Sequence, residues 1–554
     1  MKKSIYPALL LIIFLVHVFV NYQVLSNSRV GRINDEHLRI MTGLYGYEML
    51  FRNPDFNIPE AFNFFTSLFH IQSHPHFYEF ILSLSFGASD ALHLKSDNLA
   101  ILLSNSLFLF ILLFSVYGIG RITYDPKTGL LSAFLVSLFP YIFSHQRVAM
   151  LDFPLASMVT LTLLVFLKTN KFNSLLYSIL AGIAFGLAQI TKETAIIFIF
   201  APVFYYFYIS YREGAKKYIV MRNFCIMLLF FIVVSGMVYL KPSNFYAFQI
   251  YFGKTFHIPN HPGYLFYVKG VGHLIGIVVL ILSLPVFLNY LVNIRNRDKF
   301  ISFWLVIPFI LFSLSANKTY RFILPVLPAL GLIIAKEALS VKLARFIKKP
   351  YIYIFVLSAL LQFVFMNTGL MGNFNDSDLE AGIIKGKIDN RLKTTKSLYK
   401  VFQQESANNI ADKAIPLFRR PDKYVRLKDR VFIYNLPIEV PDSVNKVLLL
   451  FYDSLIRDQL QYNFLYNGLP FIIFCPMGID NVDMPLLGYE QINWRKVILE
   501  SDYIIDNNCS NLNVDQMSEF LKSEFKSQKP KFRAIAEENV YSDCAVIIYK
   551  RVSN

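Results

Sequence analysis

Between Ile5 and Asn367 the chain alternates long apolar runs with short polar joints, and most of the runs are of membrane length. They lie near 5–24, 99–119, 129–145, 153–168, 173–190, 193–210, 222–240, 271–293, 299–315, 322–338 and 350–367. Runs of this size, as helices rising 1.5 Å per residue, cross a hydrocarbon layer of about 30 Å. The pattern predicts about eleven transmembrane helices, two of them in positions that suit re-entrant segments. Met1-Lys2-Lys3 followed by Ile5 to Val20 opens like a secretory signal. The run continues to Val24, however, and Tyr22-Gln23-Val24-Leu25 offers no small-x-small cleavage site, so an uncleaved first span is expected.

Two regions break the pattern. Residues 25–98 read as a long first external loop with helical periodicity at Glu36 to Phe51 and Phe77 to Phe86. Residues 371–554 are a polar tail. Its strand candidates are Val431 to Tyr434, Val447 to Tyr452, Pro470 to Phe474, Tyr503 to Ile505 and Ala545 to Tyr549, with helical patterns at Asp453 to Leu465 and Val514 to Phe525 between them. The expected architecture is a polytopic α-helical membrane domain over 1–370, followed by an extracytoplasmic α/β domain over 371–554.

Composition agrees and charge fixes a direction. The 554 residues are 55% hydrophobic and 17% charged, which excludes an ordinary soluble chain. A net charge of +16 raises nucleic acid as a partner, but the basic residues sit in short joints between apolar runs, with no zinc-knuckle spacing or long basic tract. With the N-terminus cytoplasmic, the inside joints carry Arg121 and Lys127; Lys168 and Lys171; Arg212, Lys216, Lys217 and Arg222; Arg295, Arg297 and Lys299; and Lys342, Arg345, Lys348 and Lys349. The short outside joints carry only Arg147, Lys192, Lys318 and Arg321. That bias predicts a multi-pass protein of the cell (plasma or inner) membrane with its C-terminal domain outside. Of the four cysteines, none has CxxC spacing; Cys509 and Cys544 are candidates for an external bridge.

The oddly placed charges all fall at predicted outer ends: Asp35 and Glu36 with Arg39 just after the first span, then Arg147 and Asp152, Lys192 and Glu193, Lys318 and Arg321. A charge at mid-bilayer costs about 2.5–3.5 kcal/mol on insertion scales, which a span end largely avoids. Acids able to take a proton and cations able to meet an anionic leaving group, ringed at one membrane face, suit transfer from a phospholipid-like donor. Each also has a structural reading: caps for Asp35 and Glu36, an interfacial ion pair for Arg147 and Asp152, snorkelling for Lys192, interface anchoring for Lys318 and Arg321. His70, His74 and His76 raise a metal reading, but Pro75 interrupts the helix face and no cysteine or carboxylate completes the set. The aromatic loop Phe245 to Tyr267 is placed either to cover a bound lipid or simply to join spans.

The order of motifs resembles the GT-C superfamily of polyprenyl-phosphate-sugar-dependent glycosyltransferases, above all its protein O-mannosyltransferase and aminoarabinose-transferase branch. The matching pieces are Asp35-Glu36-His37-Leu38-Arg39, His74-Pro75-His76-Phe77-Tyr78, Gln146-Arg147 through Asp152-Phe153-Pro154, Gly186 through Lys192-Glu193, and Lys318-Thr319-Tyr320-Arg321 through Pro328. His76 departs from the pattern, which more often has a second proline there. The resemblance implies an inverting transfer from a polyprenyl phosphate to an acceptor hydroxyl at the extracytoplasmic face. Asp35 would be the general base, assisted by Glu36. Arg147, Lys192, Lys318 and Arg321 would receive the donor phosphate, and Arg39, His74, His76, Tyr78 and Asp152 would shape the acceptor side. The acceptor would be a protein, a glycolipid or a cell-wall polymer. No metal is called for, although nothing in the residues forbids a divalent ion. Two rivals are a lipid-linked-sugar transporter or flippase, which would want charges at mid-membrane or repeated halves, and a non-catalytic envelope assembly subunit.

Overall fold

The computed structural model describes residues 5–26, 34–52, 57–66, 74–92, 97–213, 216–241, 263–292, 298–315, 318–340 and 345–367, and, in the tail, chiefly 445–449, 471–474, 503–507, 525–541 and 544–552. The chain forms two compact units, one of Met1–Ser28 with Asn57–Ile388 and the other of Arg29–Phe56 with Asp389–Asn554.

The first unit is helical. In chain order it holds α1 (Ile5–Ser26), α3 (Ile58–Thr66), α4 (Phe77–Ala91), α5 (Asp97–Thr123), α6 (Pro126–Ser137), α7 (Pro140–His145), α8 (Asp152–Lys168), α9 (Leu175–Thr191), α10 (Ala195–Glu213), α11 (Lys217–Tyr239), α12 (Phe266–Ile275), α13 (Ile277–Val292), α14 (Lys299–Leu314), a 3-10 segment (Tyr320–Val326), α15 (Leu327–Ser340) and α16 (Arg345–Asn367); α2 (Asn34–Tyr47) lies in the second unit. Every apolar run read from the sequence is helical. Six helices among the described residues are long and apolar enough to cross a membrane, and α12 with α13, bent by 113° at their break, make a seventh if the pair is one span. Large apolar side chains such as Phe19, Phe200, Phe204, Leu229 and Leu288 are more than half exposed, while Ser132, Ser157, Thr160 and Thr162 are fully buried. That inverts a water-soluble surface and suits a lipid solvent.

Three runs depart from single straight helices, each for a local reason. The run 129–145 is two helices, because Pro140 has no N–H to continue a ladder and opens α7 instead. The run 271–293 breaks at Gly276, whose φ of +89° is a conformation open to glycine, and the Gln362 amide donates to the Ile275 carbonyl freed at the break. The run 322–338 begins as the 3-10 segment containing Pro325, whose carbonyl accepts from the Trp304 indole at 3.1 Å.

Starts are set by caps. Asp125 accepts from the N–H groups of Lys127 and Thr128 ahead of α6, and Asp298 from Phe300 and Ile301 ahead of α14. α9 packs closely on α11, where a Cβ on Gly182 would stand 2.3 Å from the Met227 carbonyl oxygen.

The second unit holds α2, a π-helical turn over Glu48–Arg52, and a five-stranded sheet of order β2-β1-β3-β5-β4. Its strands are β1 (Asn445–Leu449), β2 (Phe471–Phe474), β3 (Tyr503–Asn507), β4 (Phe532–Tyr541) and β5 (Cys544–Arg551). β1 pairs in parallel with β2 and β3, whereas β5 runs antiparallel to both β3 and β4. Four strands fall where the apolar runs predicted. β4 was not legible: it is an edge strand carrying Glu537, Glu538 and Asn539, with register shifts that two-residue alternation does not show. Phe525 packs edge-on against Phe532 and Tyr549. The strand predicted at Val431 to Tyr434, the helix at Asp453 to Leu465 and the side chains of Cys509 and Cys544 lie outside the described residues.

Candidate active site

In the helical unit, segments far apart in sequence converge through their ends. Asp152 is the first residue of α8, an acid in the first turn where the helix dipole favours negative charge. Lys192 ends α9: its backbone turns extended (φ −158°, ψ 137°), still donating to Ala188, and the side chain leaves the helix there. Glu193 follows in the turn before α10, tied down by the Gln189 amide donating to its carbonyl at 2.9 Å. Arg321 stands at the start of the 3-10 segment after α14.

Lys192 Nζ lies 2.7 Å from Asp152 Oδ1, and Arg321 Nε lies 3.9 Å from Asp152 Oδ2. Phe322 forms a shared apolar floor, its ring centre 5.0 Å from Lys192 Nζ and 5.8 Å from the Arg321 guanidinium. The Arg321 Nη1 also approaches Met150 Sδ at 2.8 Å. Beside them His74 Nδ1 contacts Glu193 Oε2 at 2.7 Å. All five charged or titratable side chains are largely buried, His74 and Arg321 being the most open at 16% and 17%.

Charges in such surroundings persist only when paired, since desolvation costs several kcal/mol per ion, on the order of what a pair returns. Glu193 shows the balance outside the apolar helices. Burial works against its charged form, yet His74 and Lys192 outweigh that and hold its carboxyl below the ordinary value. With Glu193 engaged by His74, one carboxylate, Asp152, holds two cationic heads. A phosphate entering here would compete for those same two heads.

The remaining sequence-derived candidates divide. Tyr78 is fully buried and donates to Asn105 Oδ1 at 3.1 Å; the Asn105 amide in turn donates to the carbonyls of Gln146 and Val148. It braces the turn that carries Arg147. His76 is buried, its ring stacked on Phe64 at the entry to α4. Arg147 is fully buried, its contacts including Asn21 on α1 at 2.9 Å, Asn367 at the end of α16, and the Phe143 ring. It does not share the Asp152 carboxylate with Lys192 and Arg321. Lys318 donates to the Ser315 carbonyl at 2.6 Å and faces the Tyr264 ring.

In the second unit, Asp35 lies in the first turn of α2, whose Glu36 and Arg39 are buried; the Asp35 side chain is outside the described residues. His70 is outside them too, and among the described residues no three of His, Cys, Asp or Glu gather around a metal-sized space. The sequence reading missed Asn21, Asn105, Gln189 and Asn367 as site components. The available signal was an amide residue inside an otherwise apolar run.

Comparison with known proteins places this geometry. Residues 73–239, which include His74, Asp152, Lys192 and Glu193, match the family of dolichyl-phosphate-mannose-protein mannosyltransferases. A protein of Aquifex aeolicus described as uncharacterized is 28% identical over 247 residues, 43% of this chain; the chain spans about half (53%) of that relative. ArnT from Cupriavidus metallidurans, solved bound to undecaprenyl phosphate, matches with a TM-score of 0.58 at 12% identity, covering 98% of both chains. Arabinofuranosyltransferase AftD from Mycobacteria matches with a TM-score of 0.55 at 11% identity, over 99% of this chain and 40% of that one. The archaeal oligosaccharyltransferase AglB of Archaeoglobus fulgidus, in complex with an inhibitory peptide and a dolichol-phosphate, matches at 0.50 and 13% over 91% and 70%. The chain thus resembles the GT-C glycosyltransferases in family model and in fold, as its motifs led one to expect.

Proposed function

We propose that the chain is an integral-membrane glycosyltransferase that moves one sugar from a polyprenyl-phosphate donor to an acceptor hydroxyl at the extracytoplasmic face. The observation carrying this reading is the buried pairing of Lys192 and Arg321 around Asp152. Such an arrangement stabilises a phosphate as negative charge collects on it, and it does so in a water-poor setting where fixed charges act strongly. Arg321 supplies a planar fork suited to phosphate oxygens, Lys192 a compact charge. Because these cations are at hand to receive a departing monophosphate, the reaction needs no divalent metal; EDTA treatment should leave turnover unchanged.

Asp35 is the proposed general base and Glu36 its partner, taking the acceptor proton as the hydroxyl attacks the anomeric carbon with inversion. A positioned base contributes roughly 10²–10⁴ in rate. ArnT bound to undecaprenyl phosphate and AglB in complex with dolichol-phosphate support the donor class. The charged cluster at the helix ends, rather than at the middle of the apolar runs, favours transferase over transporter. The test is transfer by the purified protein with a panel of polyprenyl-phosphate sugars, followed by mass spectrometry. Asp35→Asn should abolish transfer while expression and membrane insertion stay normal. Full turnover by that variant would remove Asp35 from the mechanism.

A further inference from the structure

One fully buried hydroxyl lies on the helix packed against the 3-10 segment that carries Arg321. Tyr267, on α12, is 0% exposed, and among the described residues its Oη makes no hydrogen bond of ordinary geometry. Its helix packs through Gly270 on Tyr320, the neighbour of Arg321, near enough to Thr319 and Asp152 for both to act on the phenol. The Thr319 hydroxyl is in the same condition, buried and without a partner, although Thr319 stands where a capping side chain would normally bond into the 3-10 segment.

An unpartnered buried hydroxyl costs about 1–3 kcal/mol. Native chains keep such groups chiefly where something else satisfies them. The local packing holds Tyr267 in place. Phe266 stacks on Tyr320 at 4.4 Å, and Tyr320 lies so flat against α12 that a Cβ on Gly270 would stand 2.0 Å from its ring. Only a residue without a side chain lets α12 and the 3-10 segment approach this closely, and that approach sets Tyr267 Oη beside Thr319.

We infer that Tyr267 is a further binding residue of the donor site, its hydroxyl donating to a phosphate oxygen that Lys192 and Arg321 hold, with the Thr319 hydroxyl as a weaker second donor. The inference rests on the proposed donor site and adds to it the helix α12. A phosphate bridging the two cations would take the place next to them that the Asp152 carboxylate occupies, and a donor on α12 would reach it past the 3-10 segment that carries Arg321. Phosphate oxygens accept hydrogen bonds only, which matches two spare O–H donors. A charge-assisted O–H contact of this kind is short and strong.

The test measures binding of undecaprenyl phosphate to the full chain in lipid nanodiscs, together with apparent melting temperature, for wild type, Tyr267→Phe, Thr319→Val and Lys192→Ala. Tyr267→Phe should weaken binding about tenfold. Its melting temperature should stay level or rise, because the variant removes only an oxygen without a protein partner. Thr319→Val should weaken binding by less. With a sugar-bearing donor, the loss for Tyr267→Phe should fall on KM more than on kcat. If Lys192→Ala loses binding and Tyr267→Phe keeps it within about twofold, the donor site stands and this inference falls. If Tyr267→Phe loses both binding and thermal stability, the hydroxyl belongs to packing and the inference also falls. If Lys192→Ala binds as wild type does, the donor site itself is misplaced.

Discussion

The two ends of the helical bundle use the same residue types to opposite purposes. At one end, Asp152, Lys192, Glu193 and Arg321 are turned inward and engage one another or His74. At the other, several charges stay near water, although Glu337 is buried and accepts from the Asn289 amide. Lys171 and Glu213 pair at 2.7 Å with about half of each side chain exposed, and Asp125 and Asp298 spend their carboxylates on helix caps. Burial accounts for the contrast. In water an ion pair is screened and contributes little, whereas the same pair in an apolar shell is strongly coupled and sensitive to any incoming charge. On the proposed reading, charge in the joints marks topology at one end and serves chemistry at the other.

The sharpest way to break the comparison is Lys192→Ala. It removes one cation from the proposed phosphate site and leaves Asp152 with Arg321 alone, so transfer should fall by about 10²–10³-fold. An effect no larger than that of Lys171→Ala would erase the distinction between the ends.

Glu193→Gln addresses the neighbouring pair. The Glu193 carboxyl is depressed in the folded protein, so its share of stability is complete above the unfolded value of 4.5 and is lost as pH falls through the depressed one. The variant should flatten the melting temperature against pH on that acid side, where wild type declines. An identical decline in both would place the acid sensitivity elsewhere.

At the opposite end effects should be smaller and purely structural. Asp125→Ala removes an N-cap and should cost about 1 kcal/mol of stability, read as a lower melting temperature with specific activity unchanged. Lys171→Ala should change neither measurement, because its partner Glu213 is exposed.

Much of this was readable beforehand because membrane physics leaves few options. A backbone crossing hydrocarbon must satisfy its own hydrogen bonds, so long apolar runs are helices, and each run drawn from the sequence is one or two. The breaks depended on Pro140 and Gly276, visible as residues but not as bends, since either is tolerated within a helix when neighbours compensate. In the sheet, β1, β2, β3 and β5 announced themselves by β-branched and aromatic runs, while the acidic edge strand β4 did not.

The candidate site divides along the same line. Residue type and position at the ends of apolar runs sufficed to nominate Asp152, Lys192 and Arg321. Only the tertiary structure decided that Lys192 and Arg321 share the Asp152 carboxylate, that Arg147 turns to Asn21 and Asn367, and that α12 packs on the segment carrying Arg321. The reason is geometric. The period of hydrophobicity along a chain states which residues leave the membrane, but not which helix stands next to which. The partners of a charge are therefore fixed by packing across 171 positions from Met150 to Arg321, a separation no local pattern encodes.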